Sequence, residues 1–174
     1  IGISNGKGNS LPAYLNVRTG GRYKSEEKTI REFAKMTDKE FREYSAAVDE
    51  MGFTTKYHKG NSGDTAFLPI KNGIVVHNHP TKDKKGRTVA WNTFSGQDLL
   101  VVASDKKTRG IVATANGNKS VYKFVKKKSF KSKEFIKGVQ TAKMSSTNYD
   151  KDVDSWLRKN AKKDGYSYSR THHR

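Results

Sequence analysis

The stretch Gly73-Ile74-Val75-Val76-His77-Asn78-His79-Pro80, followed downstream by Ser95-Gly96-Gln97-Asp98, decides how this chain is read. Ile74, Val75 and Val76 are β-branched and favour a strand, which Pro80 ends. Residues i and i+2 of a strand point to one face, so the imidazoles of His77 and His79 can reach a single cation. Ser95 stands where a helix should begin, continued by Leu99, Leu100, Val102 and Ala103, and Asp98 in its first turn offers a carboxylate oxygen as third ligand. Three protein ligands with a fourth position left for water describe a catalytic zinc site rather than a closed structural one. Each part has a simpler use when alone. Ser-x-x-Asp at a helix start is a capping box, and a strand-end His pair is more often structural or exposed. The ordered conjunction carries the functional reading.

Working outward, residues 1–24 are rich in Gly, Asn and Ser and read as an irregular arm without the apolar core of a signal peptide. Ser25, followed by Glu26 and Glu27, reads as an N-cap, and Ile30, Phe33, Ala34 and Met36 predict a helix over 26–36. Thr37 and Glu40 form a T-x-x-E pattern expected to start a second short turn through Phe41. Tyr44 to Val48, the Asp49-Glu50-Met51-Gly52 turn and Phe53 to Tyr57 predict a hairpin, and Thr65 to Ile70 a strand interrupted by Pro69. Residues 81–93 form a basic loop containing Lys82, Lys84, Lys85, Arg87 and Trp91. A second hairpin is expected from Arg109 to Val125 around Asn116-Gly117-Asn118, then helices over 131–144 and 150–163, and a frayed end from Tyr166 onward. The division that follows is an N-terminal arm and helix (1–37), a metal-binding domain (38–125) and a basic C-terminal extension (126–174).

A chain of 174 residues with 33% hydrophobic content supports one ordinary domain with a modest core. No segment approaches the about 20 consecutive apolar residues of a membrane span, so a soluble protein is expected. With no cysteine there is no disulfide framework and no thiolate site, and any metal must be held by His and carboxylate. The net charge of +18 predicts salt-sensitive attraction to polyanions, nucleic acid above all. Residues 120–174 carry an excess of ten positive charges. Within them Lys126, Lys127, Lys128, Lys131 and Lys133, interleaved with Phe130, are the candidate nucleic-acid contacts. His58, His172 and His173 lack supporting spacing and are expected to face solvent.

His-x-His-Pro followed by Ser-x-x-Asp resembles the motif of JAB/MPN (JAMM) metalloproteases, and the resemblance covers about residues 38–125. The order of an acidic residue, a hairpin, the His strand, the Ser-x-x-Asp helix and a further hairpin is similar to JAB-like domains of tailed-phage minor head proteins and bacterial polymorphic toxins. The resemblance implies an α+β, α/β-like fold: a cytidine-deaminase-like mixed sheet flanked by helices, here with a basic helical C-terminal extension. It also implies zinc held by His77, His79 and Asp98, Glu43 as general base, with Glu40 as its competitor, and Ser95 as oxyanion donor. The expected activity is that of a zinc-dependent peptidase or isopeptidase. The alternative is a non-catalytic basic DNA-binding module of a phage minor head or injected protein on a JAB-like scaffold, and a toxin effector is a third reading. The location implied is a virion or the bacterial cytoplasm for a phage protein, and outside the cell for a secreted effector. Residues 81–94 make the spacing from Pro80 to Ser95 longer than is usual in the family, which loop-closure entropy tolerates because it grows only logarithmically with length. Anchored at both ends beside the ligands, this loop is expected to rim the site, with Lys84, Lys85, Arg87 and Trp91 recognising an acidic or nucleic-acid-associated substrate.

Overall fold

The computed structural model describes residues 2–4, 22–39, 41–60, 64–67, 70–88, 92–115 and 118–172. In chain order its elements are β1 (Gly2–Ser4), β2 (Arg22–Tyr23), α1 (Glu26–Lys39), β3 (Tyr44–Val48), β4 (Phe53–Thr54), β5 (His58–Lys59), β6 (Asp64–Ala66), β7 (Ile74–His79), α2 (Gly96–Ser104), β8 (Gly110–Ala115), β9 (Ser120–Lys126), α3 (Ser132–Thr141), α4 (Tyr149–Asp164) and β10 (Tyr166–His172). The protein is mixed α+β. Its main sheet runs β10-β9-β8-β7-β3-β4-β2, with β5 paired to β3 off that path, and β1 and β6 form a small parallel pair apart. Among the described residues only β7 and β8 are parallel neighbours within the main sheet, and α2 lies in the crossover between them. Among the described residues no helix is long and apolar enough to cross a membrane.

The alternation along β7 divides the core into two layers. Ile74 and Val76 pack with Phe33 of α1 and with Ala46, Val48 and Val112. Val75 faces the other way, with Ile111, Ala113, Leu99 and Val102 under α2. By the same period of two, His77 and His79 lie on the α2 face and Asn78 on the α1 face. Antiparallel pairing sets Ser45 against His77, so the next same-face pair outward brings Glu43 opposite His79.

Local signals act as expected at several points. Ser25 Oγ accepts the Lys28 N–H at 3.1 Å and starts α1. Asp49 Oδ1 accepts the N–H groups of Met51 and Phe53, and Gly52 supplies the positive φ of the turn. Elsewhere the tertiary structure overrides them. The expected arm yields β1 and β2 in its described parts. Thr37 is not a cap, because α1 continues to Lys39 and the Thr37 hydroxyl, buried, donates to the Phe33 carbonyl and meets Thr114 Oγ1. Glu40 and Trp91 lie outside the described residues.

The expected fraying from Tyr166 onward is corrected by β10, whose seven residues all pair with β9. Gly165 ends α4 in the left-handed conformation at φ +80°, so the chain reverses directly into β10. Tyr166 is then buried 4.6 Å from the ring of Phe124 and 5.2 Å from that of Phe135. Phe135, Val153, Leu157 and Tyr166 belong to the same apolar cluster as Leu99, Val102 and Phe124. Residues beyond 126 therefore share the core that lies under α2.

Candidate metal centre

Four ionisable side chains converge on the α2 face of β7, each at most 1% exposed. His77 Nε2 lies 2.9 Å from His79 Nε2 and 3.3 Å from Asp98 Oδ2. His79 Nε2 lies 3.5 Å from Asp98 Oδ2 and 3.8 Å from Glu43 Oε1. Glu43, His77 and His79 form a buried group that could hold a metal ion, with one donor atom from each within 4.8 Å of the others.

The elements that bring these groups together are local and legible. At the start of α2, Ser95 Oγ accepts the Asp98 N–H at 3.1 Å while Asp98 Oδ2 accepts the Ser95 N–H at 3.0 Å. This is the capping box in full, and its geometry turns the same oxygen, Oδ2, toward both imidazoles. The capping and ligand readings of Ser-x-x-Asp are thus compatible. His79 Nδ1 lies 3.0 Å from the Asn92 carbonyl, an acceptor only, so Nδ1 carries the proton and the Nε2 lone pair faces the group. Burial lowers the His79 pKa and keeps the imidazole neutral. Burial opposes ionisation of Asp98, yet the His77 imidazole, its Nε2 3.3 Å from Oδ2, holds the carboxyl well below the usual carboxylate range. The His79 lone pair and the Asp98 carboxylate are therefore in the form that metal binding requires.

Glu43 is placed by a residue that the motif does not single out. Asn78, on the opposite face of β7, accepts the Tyr44 N–H at 2.6 Å and donates to the Arg42 carbonyl at 2.9 Å. It grips the backbone on both sides of Glu43. A polar residue between two histidines in an otherwise apolar strand is the one signal of this role in the sequence.

The remaining predicted residues separate by exposure. Lys84, Lys85 and Arg87 are exposed on a turn that Asp83 organises by accepting the N–H groups of Lys85 and Arg87 and the Arg87 guanidinium. Lys127, Lys128, Lys131 and Lys133 are exposed. Lys126 is not available as a surface contact, because its Nζ donates to the Val102 and Asp105 carbonyls at 2.9 and 2.6 Å at the end of α2. Comparison with family models, with curated proteins and with solved structures yields no match.

Proposed function

We propose that this chain is a zinc-dependent JAB-like hydrolase acting on an amide or isopeptide bond, with His77, His79 and Asp98 as the ligands. The observation that carries the reading is the convergence of two imidazole nitrogens and two carboxylates on one buried point. Ligand atoms about 2.0–2.1 Å from a tetrahedral zinc ion lie about 3.3–3.4 Å from one another. The separations of 2.9, 3.3 and 3.5 Å among His77 Nε2, His79 Nε2 and Asp98 Oδ2 bracket that edge.

When bound, zinc supplies Lewis acidity to the scissile carbonyl and brings a water toward the pKa of about 7 at which it attacks. Glu43, held by Asn78 through its backbone, takes the proton of the attacking water and returns it to the leaving amine. Ser95 Oγ accepts from the Asp98 N–H, which leaves its own hydroxyl proton free to donate to the oxyanion. Because the four groups are at most 1% exposed, turnover requires the segments that cover them to move. The exposed Lys84, Lys85 and Arg87 on the adjoining turn favour an acidic substrate. Elemental analysis tests the reading: the purified protein is expected to hold about one zinc per chain, and His77→Ala less than a tenth of that. Absence of stoichiometric metal after zinc loading rejects it.

A second reading is favoured by the exposed Lys127, Lys128, Lys131 and Lys133. Here the chain binds DNA, as a module of a phage head or injected protein would, and the metal group is incidental. Binding to duplex DNA is then expected to fall steeply with salt. Replacing these four lysines by Ala lowers the log–log salt slope by about one unit for each of them that neutralises a phosphate. Affinity indifferent to salt excludes it.

A further inference from the structure

The first turn of α4 reaches across the molecule to the segment that leads into α2. Asp150 Oδ1 accepts the N–H groups of Asn92 and Thr93 at 2.9 and 3.1 Å. Its Oδ2 accepts the Asn92 N–H at 3.2 Å and the Asn92 side-chain amide at 3.1 Å. Next along, Tyr149 Oη donates to the Phe94 carbonyl at 3.0 Å. The Thr93 N–H and the Asn92 C=O belong to one planar trans peptide unit, in which the two point in opposite directions. A carboxylate that draws the N–H toward α4 therefore aims the C=O away from α4. That oxygen is the one 3.0 Å from His79 Nδ1.

We propose that Asp150 is a positioning residue of the metal centre, acting through the Asn92–Thr93 peptide to fix the tautomer and ring orientation of His79. The C-terminal segment then completes the site instead of hanging from it. The location of Asp150 suits the task, since a carboxylate in the first turn of α4 is stabilised by the helix dipole. His77 makes the dependence on Asp150 sharper. Among the described residues its buried Nδ1 has no hydrogen-bond partner, so no backbone carbonyl holds that ring as the Asn92 carbonyl holds the ring of His79. Without Asp150 the Asn92–Thr93 peptide is free to rotate, the Nδ1–H of His79 loses its acceptor, and the lone pair that faces Glu43 and Asp98 is no longer selected.

The geometry stands without the metal, whereas its consequence for affinity rests on the zinc reading, and two measurements on the full-length chain separate them. Imidazole ¹⁵N–¹H correlation spectra of the metal-free protein are expected to show His79 as the Nδ1–H tautomer. In Asp150→Ala they are expected to show a mixture of tautomers. Competition with a chelator is expected to show zinc binding weakened by about 10–100-fold in Asp150→Ala. Asp154→Asn, which removes an acid from the same helix that pairs with Arg158 instead, is expected to leave both readings within about twofold of the parent. If Asp150→Ala does not fold, the near-isosteric Asp150→Asn presents an NH₂ to the Asn92 amide and carries the same test. A wild-type protein that binds no zinc defeats the metal reading and leaves the tautomer to decide. A folded Asp150 variant with the parent's His79 tautomer overturns the inference.

Discussion

In Glu43→Gln, hydrolysis of an amide or isopeptide substrate is expected to fall by about 10²–10⁴-fold with the zinc content unchanged. Gln keeps the size of Glu and its hydrogen-bonding oxygen but cannot take a proton from water at neutral pH. The backbone grip of Asn78 on Arg42 and Tyr44 does not depend on the side chain at position 43, so the change leaves the strand in place. The variant also decides which carboxylate is the ligand. Glu43 Oε1 lies 3.8 Å from His79 Nε2, whereas Asp98 Oδ2 lies 3.3 and 3.5 Å from the two imidazole nitrogens. Asp98 is therefore expected to hold the ion and Glu43 to stand beside it as base. Zinc measured in Glu43→Gln and Asp98→Asn side by side checks this: loss of metal from the first with retention in the second exchanges the two roles. Full activity in Glu43→Gln removes it from the chemistry altogether.

Phe135→Ala is expected to lower the unfolding free energy by about 3–5 kcal/mol, a large part of the stability of a domain of this size. The ring is fully buried, with ring centroids of Phe124, Phe130, Trp156 and Tyr166 between 5.2 and 5.6 Å away. These partners come from β9, the turn after it, α4 and β10, so one truncation opens a cavity at the junction of the central sheet with the C-terminal helices. Denaturant titration followed by both tryptophan fluorescence and far-ultraviolet circular dichroism measures the effect. Coincident transitions at a lower midpoint are expected, because the cavity lies in a core shared by α2, the sheet and the C-terminal helices. An early transition confined to the C-terminal helices, with the sheet unaffected, would show that the shared cluster is not a single cooperative unit.

Short-range chemistry is legible in the order of residues. The β-branched run into His77-Asn78-His79 specifies a strand with both imidazoles on one face, and Ser95 with Asp98 specifies the start of a helix. Ser25 and Gly52 mark a cap and a turn for equally local reasons, since each acts on backbone groups within four residues. Where the outcome depends on a distant partner, the same kind of reading fails. Tyr166-Ser-Tyr168-Ser-Arg170 has too few apolar residues to be distinguished from a solvated end, and it is ordered because β9 offers seven paired residues and Tyr166 packs on the buried rings of Phe124 in β9 and Phe135 in α3. Lys126 sits within a run of surface charge in the sequence, yet the carbonyls at the end of α2 take it up.

The sequence by itself determined the candidate donors, the strand and helix that present them, and the excess positive charge. Only the tertiary structure decided that they meet. Pairing of β3 with β7 set Glu43 opposite His79, and the crossover through α2 laid Asp98 over the same face. Asp150, 58 residues from Asn92, fixed the peptide that orients the ring of His79. The physical reason is that periodicity and capping are properties of neighbours along the chain, whereas a metal centre and its supports are set by register and packing between segments that the folded core alone brings together.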